Sequence, residues 1–305
     1  MDKVVIGDDL GKKLGQELKM PFISFEDRIF NDGEVQPRLA KEEKTKEAIL
    51  IIQKKQKENI NSYLVKYLLL LRKIRDLSQK TIAIMPYLPY SRQDSVFREG
   101  EPLSSLYLAE LIEKNTDVFL TCNMHEHRKK IRDLFKIPAY NVFLFEEMAE
   151  KFKEFSPSNT IVIGPDREAE AFVDNFCRNF PASKLIFEKH RNKETGKVNF
   201  IYPENTGDIL KGKEVIIVDD IVSTGGTILE TAKIIKQFQI KTINFAFVHS
   251  IFGDEVIDRL AIIGPKKIIF TNTLENLHYA VDIIKPLARY FLEHNLGGFI
   301  DFYEK

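Results

Sequence analysis

Short apolar runs and longer stretches with helical spacing alternate along this chain. Strand-like runs at 48–52, 81–85 and 118–122 are separated by helix-like stretches at 61–77 and 104–114. The alternation resumes with runs at 160–163, 184–188, 214–218, 242–248 and 267–271, interleaved with helical stretches that start at Ala169 and cover 228–238. Val215-Ile216-Ile217-Val218 is unbroken and β-branched, as in a strand buried on both faces of a parallel sheet. This order predicts βαβ units and an α/β fold built from doubly wound, mainly parallel sheets flanked by helices. The most apolar stretch, 63–77, contains Leu68-Leu69-Leu70-Leu71 but also Lys66, Arg72, Lys73 and Arg75. Its residues Leu64, Tyr67, Leu68, Leu71, Ile74 and Leu77 keep helical spacing, which predicts a core-facing amphipathic helix and not a membrane span.

A chain of 305 residues suits two domains. The two series are separated by the charged stretch 151–158, which ends in Ser156-Pro157-Ser158. The predicted division is therefore 1–145 and 146–285, with a C-terminal helix at 286–305 packing back on the first domain. The halves also echo one another. The strand at 82–85 leads through a polar loop and a helix to a strand ending near His125, and the strand at 215–218 leads likewise to His249. Such an echo permits an internal duplication.

Lys plus Arg and Asp plus Glu number 45 each, so bulk charge points neither to nucleic acid nor to an anionic membrane. Cys122 and Cys177 have no CxxC spacing, which argues against a zinc site or disulfide framework and fits a reducing cytosol. The start, Met1-Asp2-Lys3-Val4-Val5-Ile6-Gly7, passes almost directly into a strand and carries no signal-peptide apolar region. A cytoplasmic location is expected.

The chemistry concentrates after 215–218. Asp219 and Asp220 are followed by Ser223, Thr224, Gly225, Gly226 and Thr227, then by the predicted helix from Ile228. Gly225 and Gly226 remove side-chain bulk, so backbone N–H groups can close around an anion. Thr224 and Thr227 add hydroxyls, and a helix presents its positive end there. The cradle suits a phosphate, and the paired carboxylates suit vicinal hydroxyls or magnesium. Read singly, each half is also compatible with a tight βα turn and a strand end meeting solvent.

Other elements gain meaning beside it. Pro86-Tyr87-Leu88-Pro89-Tyr90-Ser91-Arg92-Gln93-Asp94 offers a forked phosphate ligand, an amide for a base edge and aromatics for stacking, or else a rigid turn. Phe30-Asn31-Asp32-Gly33-Glu34 reads alone as an Asp-Gly turn. His125 closes a predicted strand. Lys189-His190-Arg191 places two cations one residue apart, ahead of a polar stretch at 192–197 that contains Gly196. Such a pair is either solvated surface or a clamp for charge developing on a transferring phosphoryl group.

The run 215–228 resembles the ribose-phosphate motif shared by type I phosphoribosyltransferases and ribose-phosphate pyrophosphokinases (phosphoribosyl pyrophosphate synthetases). The remaining motifs resemble the second family, in its order and over essentially the whole chain, and its archaeal-type members in particular. That resemblance implies two phosphoribosyltransferase-like domains. It implies ATP binding by Phe30, Asp32, Gly33 and Glu34 across a subunit contact, and by Arg92, Gln93, Asp94 and His125. It implies ribose 5-phosphate binding by Arg191, Asp219, Asp220, Ser223, Thr224, Gly225, Gly226 and Thr227, catalysis by Lys189 and Arg191, and magnesium at His125 and Asp166. The implied reaction moves a diphosphoryl group from Mg-ATP to ribose 5-phosphate in a homo-oligomer, a dimer or larger. A type I phosphoribosyltransferase and a non-catalytic regulatory homologue are the alternatives. The chain departs from the family at Asn123, where it has Asp, and at Glu168 and Ala169, where glycines are common. His127-Arg128-Lys129-Lys130 forms an irregular basic cluster that reads as solvated surface or as a contact to the donor nucleotide.

Overall fold

The computed structural model describes residues 1–191, 198–251, 253–276 and 278–296. The chain divides into two units. The first holds Met1–Phe143, Thr273–Glu275 and the segment that begins at Asp282; the second holds Leu144–Asn272 and Asn276–Val281.

The first unit is built from β1 (Lys3–Gly7), α1 (Asp9–Glu17), β2 (Phe22–Ile29), β3 (Val35–Leu39), β4 (Thr45–Ile51), α2 (Ile60–Leu77), β5 (Ser78–Met85), α3 (Ser104–Glu113), β6 (Val118–Cys122), α4 (Ile131–Leu134) and β7 (Ala139–Val142). Its sheet runs β3-β2-β1-β4-β5-β6-β7. Every pairing is parallel except the antiparallel β2–β3 hairpin. Ala48 to Ile51 and Ile82 to Met85 are fully buried, which is why these strands read as continuous apolar runs without alternation. α2 starts where the Asn59 side chain accepts from the Asn61 amide at 2.8 Å, and it buries Tyr63, Leu64, Tyr67, Leu70, Leu71 and Ile74 at helical spacing. Lys66 is buried on the same helix.

The second unit is built from α5 (Phe145–Glu150), β8 (Thr160–Gly164), α6 (Glu170–Asn179), β9 (Ser183–Ile186), β10 (Glu188–Arg191), β11 (Val198–Ile201), α7 (Thr206–Leu210), β12 (Glu214–Val222), α8 (Gly226–Ile235), β13 (Thr242–Ser250), α9 (Asp254–Ile262) and β14 (Lys267–Phe270). Its sheet runs β14-β13-β12-β8-β9 and is parallel throughout. From β8 the chain winds outward to β9, and from β12 it winds the other way to β13 and β14. The switch of direction falls between β8 and β12, where ligands of doubly wound sheets bind at the carboxyl ends of the strands. The last helix, α10 (Ile284–Glu293), belongs to the first unit and packs against α1 and β7. Residues 297–305, the end of the predicted C-terminal helix, lie outside the described residues. Among the described residues no helix is long and apolar enough to cross a membrane.

The observed elements correct the sequence reading in four places. β12 does not stop at Val218 but carries Asp219 and Asp220 within the strand, because β13 continues to pair with it as far as Val222. α8 starts at Gly226, not Ile228. Lys189 and Arg191 stand on β10, which pairs antiparallel with β11 (Lys189 opposite Phe200, Arg191 opposite Val198), and the expected loop 192–197 lies outside the described residues. The echo between halves lies one strand earlier than the sequence pattern suggests. Sheet order pairs β12 with β4, since β1-α1-β2 and β4-α2-β5 repeat β8-α6-β9 and β12-α8-β13. The connection after β4, 53–59, has no glycine, so residue patterning alone conceals the correspondence.

Candidate active site

In the second unit β12 delivers Asp219 and Asp220 to the carboxyl edge of the sheet, and the chain then turns through Ser223, Thr224 and Gly225 into α8. Gly225 holds a left-handed backbone (φ +68°), and a Cβ built there would lie 2.6 Å from Val256 Cγ1 of α9. Both facts require glycine. Gly226 is unstrained, and a Cβ there meets nothing closer than Thr224 Oγ1 at 3.6 Å. The demand for small residues therefore rests on Gly225. The first turn of α8 carries Gly226 and Thr227, so its positive end faces the loop, with the Gly226 amide donating to Thr224 Oγ1 at 3.5 Å.

Lys189 is brought to this loop from β10. Its Nζ donates to Thr227 Oγ1 at 2.8 Å. Of Arg191 the backbone alone is described, at the end of β10. β10 is also tied to the turn after β8 by an Arg167 Nη2–Glu188 Oε1 pair at 2.5 Å. That turn is closed by Asp166, whose Oδ1 accepts from the amides of Glu168 (3.1 Å) and Ala169 (3.3 Å). Ala169 is buried where the family commonly has glycine, and Glu168 is exposed at the start of the turn.

Electrostatically the site is overloaded with carboxylates. Burial, then the charges of Asp220 and Asp166, push Asp219 well above the usual carboxylate range. Burial and Glu168 raise Asp166, while Lys189 opposes that rise. Like charges held this close favour a cation among them. Among the described residues no three His, Cys, Asp or Glu side chains converge as a ready-made metal cage. Magnesium needs none, since one or two carboxylates plus water and substrate oxygens suffice, so Asp166, Asp219 and Asp220 fit it.

In the first unit the loop after β5 turns at Tyr90, whose backbone is left-handed (φ +61°) and whose hydroxyl donates to Asn61 Oδ1 at 2.7 Å. Arg92 and Gln93 are exposed. Asp94, expected with them as a nucleotide contact, points inward: its side chain is 1% exposed, and both of its oxygens accept from Arg128. His125 is buried just beyond β6. Asn123 before it adopts a left-handed backbone (φ +40°), and Asn141 Oδ1 accepts from the Met124 amide at 2.8 Å. Asn tolerates that conformation well, which accounts for its fit there. Phe30, Asp32, Gly33 and Glu34 form the turn of the β2–β3 hairpin, closed by Phe30 N to Glu34 O (2.9 Å) and by Gly33 at φ +91°. Asp32, Gly33 and Glu34 are exposed, and the Arg28 guanidinium lies 4.5 Å over the Phe30 ring. His125 belongs to the first unit and Asp166 to the second.

Two contributors escaped the sequence reading. Arg259 of α9 donates to the Thr224 carbonyl at 3.5 Å and supports the loop that leads into α8. Arg128 reaches Asp94 from the run 127–130, which reads as solvated surface or as a contact to the donor nucleotide. Neither has a local signal, since each contact joins residues more than thirty positions apart.

Two units built on mainly parallel sheets, the second with a glycine-bearing loop at its switch point, define an α/β protein of two phosphoribosyltransferase-like halves. The family model for the N-terminal domain of ribose phosphate pyrophosphokinase matches residues 6–115, and the phosphoribosyl transferase domain model matches residues 144–251. The chain belongs to the ribose-phosphate pyrophosphokinase family. It is 31% identical over 298 residues to the ribose-phosphate pyrophosphokinase of Sulfurisphaera tokodaii, covering 94% of this chain and 99% of that one. It is likewise 31% identical over 295 residues to that of Methanopyrus kandleri, covering 96% and 97%. The fold matches the crystal structure of phosphoribosylpyrophosphate synthetase from Mycobacterium smegmatis with a TM-score of 0.82 at 21% identity, over 97% of this chain and all of that one.

Proposed function

We propose that this enzyme transfers the diphosphoryl group of Mg-ATP to the anomeric hydroxyl of ribose 5-phosphate, giving 5-phosphoribosyl 1-pyrophosphate and AMP. The observation that carries the reading is the Lys189–Thr227 bond, which puts a cation of the Lys-x-Arg pair on the phosphate loop. In this reading the 5-phosphate sits in Ser223, Thr224, Gly225, Gly226 and Thr227, and the ring hydroxyls face Asp219 and Asp220. ATP is held by Arg92, Gln93 and His125, while Asp94 fixes their loop. Phe30, Asp32, Gly33 and Glu34 come from a neighbouring copy in a homo-oligomer. The exposure of Asp32, Gly33 and Glu34 on a hairpin turn supports that role.

The anomeric oxygen attacks the β-phosphorus in line, and the bond from that phosphorus to the oxygen bridging the α-phosphate breaks. AMP leaves with the bridging oxygen, and the anomeric proton is released. Lys189 and Arg191 stabilise charge spread over the transferring oxygens. Magnesium would neutralise the diphosphate, with Asp166 its expected ligand in the second unit and His125 its expected ligand in the first. A cytoplasmic location fits a chain whose two cysteines, Cys122 and Cys177, are thiols.

The test is incubation with ribose 5-phosphate, ATP and magnesium. AMP and 5-phosphoribosyl 1-pyrophosphate should appear together in equal amounts. Absence of both products, with pyrophosphate released instead from 5-phosphoribosyl 1-pyrophosphate and a nucleobase, overturns the reading in favour of a transferase.

A further inference from the structure

The basic run His127-Arg128-Lys129-Lys130 is not simply solvated. Asp94 lies deep in the first unit with a side chain 1% exposed. Its Oδ2 accepts from the Arg128 backbone amide at 3.1 Å, and its Oδ1 accepts from Arg128 Nη1 at 3.2 Å. The Arg128 guanidinium also stands 5.4 Å from the centre of the Phe97 ring. One residue thus grips the chain that follows Arg92 and Gln93 at two points, Asp94 and Phe97. The run is itself folded firmly. Glu126 Oε1 accepts from the Ile131 amide at 3.2 Å, and Glu126 Oε2 pairs with Lys130 Nζ at 3.5 Å. The Arg92–Gln93 side is anchored as well, since Gln93 N donates to Tyr90 O at 2.9 Å and Gln93 O accepts from Ser105 N at 3.3 Å. Two stiff loops are therefore joined through one buried carboxylate, and a carboxylate so buried is tolerated only while a cation and hydrogen-bond donors neutralise it.

We propose that Arg128 is a positioning residue for the donor nucleotide: by neutralising Asp94 it locks the loop bearing Arg92 and Gln93 to the loop that starts at His125. The inference rests on reading those three residues as the ATP side of the reaction above. Arg128 acts through Asp94, and Asp94 acts through the placement of its neighbours.

A double-mutant cycle on the full chain tests this, with Arg128→Ala, Asp94→Asn, the pair together, and Arg128→Lys. In Arg128→Ala the KM for Mg-ATP should rise about tenfold or more, because the bare carboxylate displaces its loop, while the KM for ribose 5-phosphate stays within about twofold. Adding Asp94→Asn should recover at least about threefold of that loss, since the unpaired charge is gone. Arg128→Lys should fall between, having lost the fork but kept the charge. An unchanged KM for Mg-ATP in Arg128→Ala overturns the proposal. So does a loss that Asp94→Asn leaves untouched, which would mark Arg128 as a direct nucleotide ligand. Equal rises in both KM values, with a reduced calorimetric stoichiometry for ribose 5-phosphate, would indicate general damage to the fold and also overturn it. Calorimetric titration with Mg-ATP reads the same contrast as Kd without turnover. A wild-type chain that binds ATP but forms no product therefore refutes the reaction while this inference is still decided. A wild-type chain that binds no ATP refutes both.

Discussion

Lys189 and Thr227 are 38 residues apart in sequence, and their side chains meet at 2.8 Å. The contact joins the β10–β11 hairpin to the first turn of α8, so the cation proposed for catalysis already rests on the cradle proposed for the acceptor. The lysine is exposed, and an exposed contact of this kind adds little to affinity. Its worth lies in charge stabilisation during transfer. Lys189→Ala should therefore lower kcat by about 10²- to 10³-fold, while calorimetry shows ribose 5-phosphate Kd within about threefold of wild type. A kcat within a few-fold of wild type would contradict the role given to Lys189.

Gly225 and Gly226 are adjacent, and the geometry separates them. Gly225→Ala must place a methyl against Val256 in a left-handed backbone, whereas Gly226→Ala meets only Thr224 Oγ1 at 3.6 Å, an ordinary contact. Ribose 5-phosphate Kd should rise at least about tenfold in the first and stay within about threefold in the second, given the roughly 1–2 kcal/mol cost of that backbone before any clash. Equal effects of the two changes would contradict the account of the loop.

Burial, then the charges of Asp220 and Asp166, raise the pKa of Asp219, so its ionised form strains the site. Asp219→Asn should raise the melting temperature of the magnesium-free chain and reduce turnover, a trade of activity for stability. Magnesium with ribose 5-phosphate should raise the wild-type melting temperature by linkage and raise the variant's by less. Thermal scans with and without the ion check both statements.

Asp8 offers a pH test away from the site. Its carboxylate caps α1 through Leu10 and Gly11 and accepts from Gln53 N at 2.7 Å, yet burial pushes its pKa up to about 6. A carboxyl raised above its unfolded value gives stability that is full below pH 3.8 and is lost as pH rises to about 6. The loss at neutral pH is about 3 kcal/mol at most. Urea unfolding of Asp8→Asn minus wild type, followed from pH 4 to pH 7, should shift in the variant's favour as pH rises. A difference flat in pH would contradict the raised value.

The sheets were legible because Ala48 to Ile51, Ile82 to Met85 and Val215 to Val218 are buried on both sides and so are apolar without interruption. The phosphate loop was legible because Gly225 must be glycine where it stands. The β2–β3 hairpin was not, since most of β2 faces solvent and Phe22–Ile29 mixes Glu26, Asp27 and Arg28 into the strand. The extent of β12 was hidden for a similar reason. Asp219 and Asp220 end an apolar run in the sequence, but hydrogen bonding to β13 carries the strand through them. Arg128 and Arg259 act over distance in sequence, through a buried Asp94 and a loop carbonyl, and nothing local marks either. Asp94 shows the same limit from the other side, because its neighbours Arg92 and Gln93 are exposed and it is not.

The central claim is that a diphosphoryl group moves from ATP to the anomeric oxygen of ribose 5-phosphate, and tracing the β-phosphorus tests it most directly. ATP labelled at that phosphorus should pass its label into 5-phosphoribosyl 1-pyrophosphate, leaving AMP unlabelled, only when ribose 5-phosphate and magnesium are present. Label retained in ADP, with the γ-phosphate alone transferred to the sugar, would contradict the account.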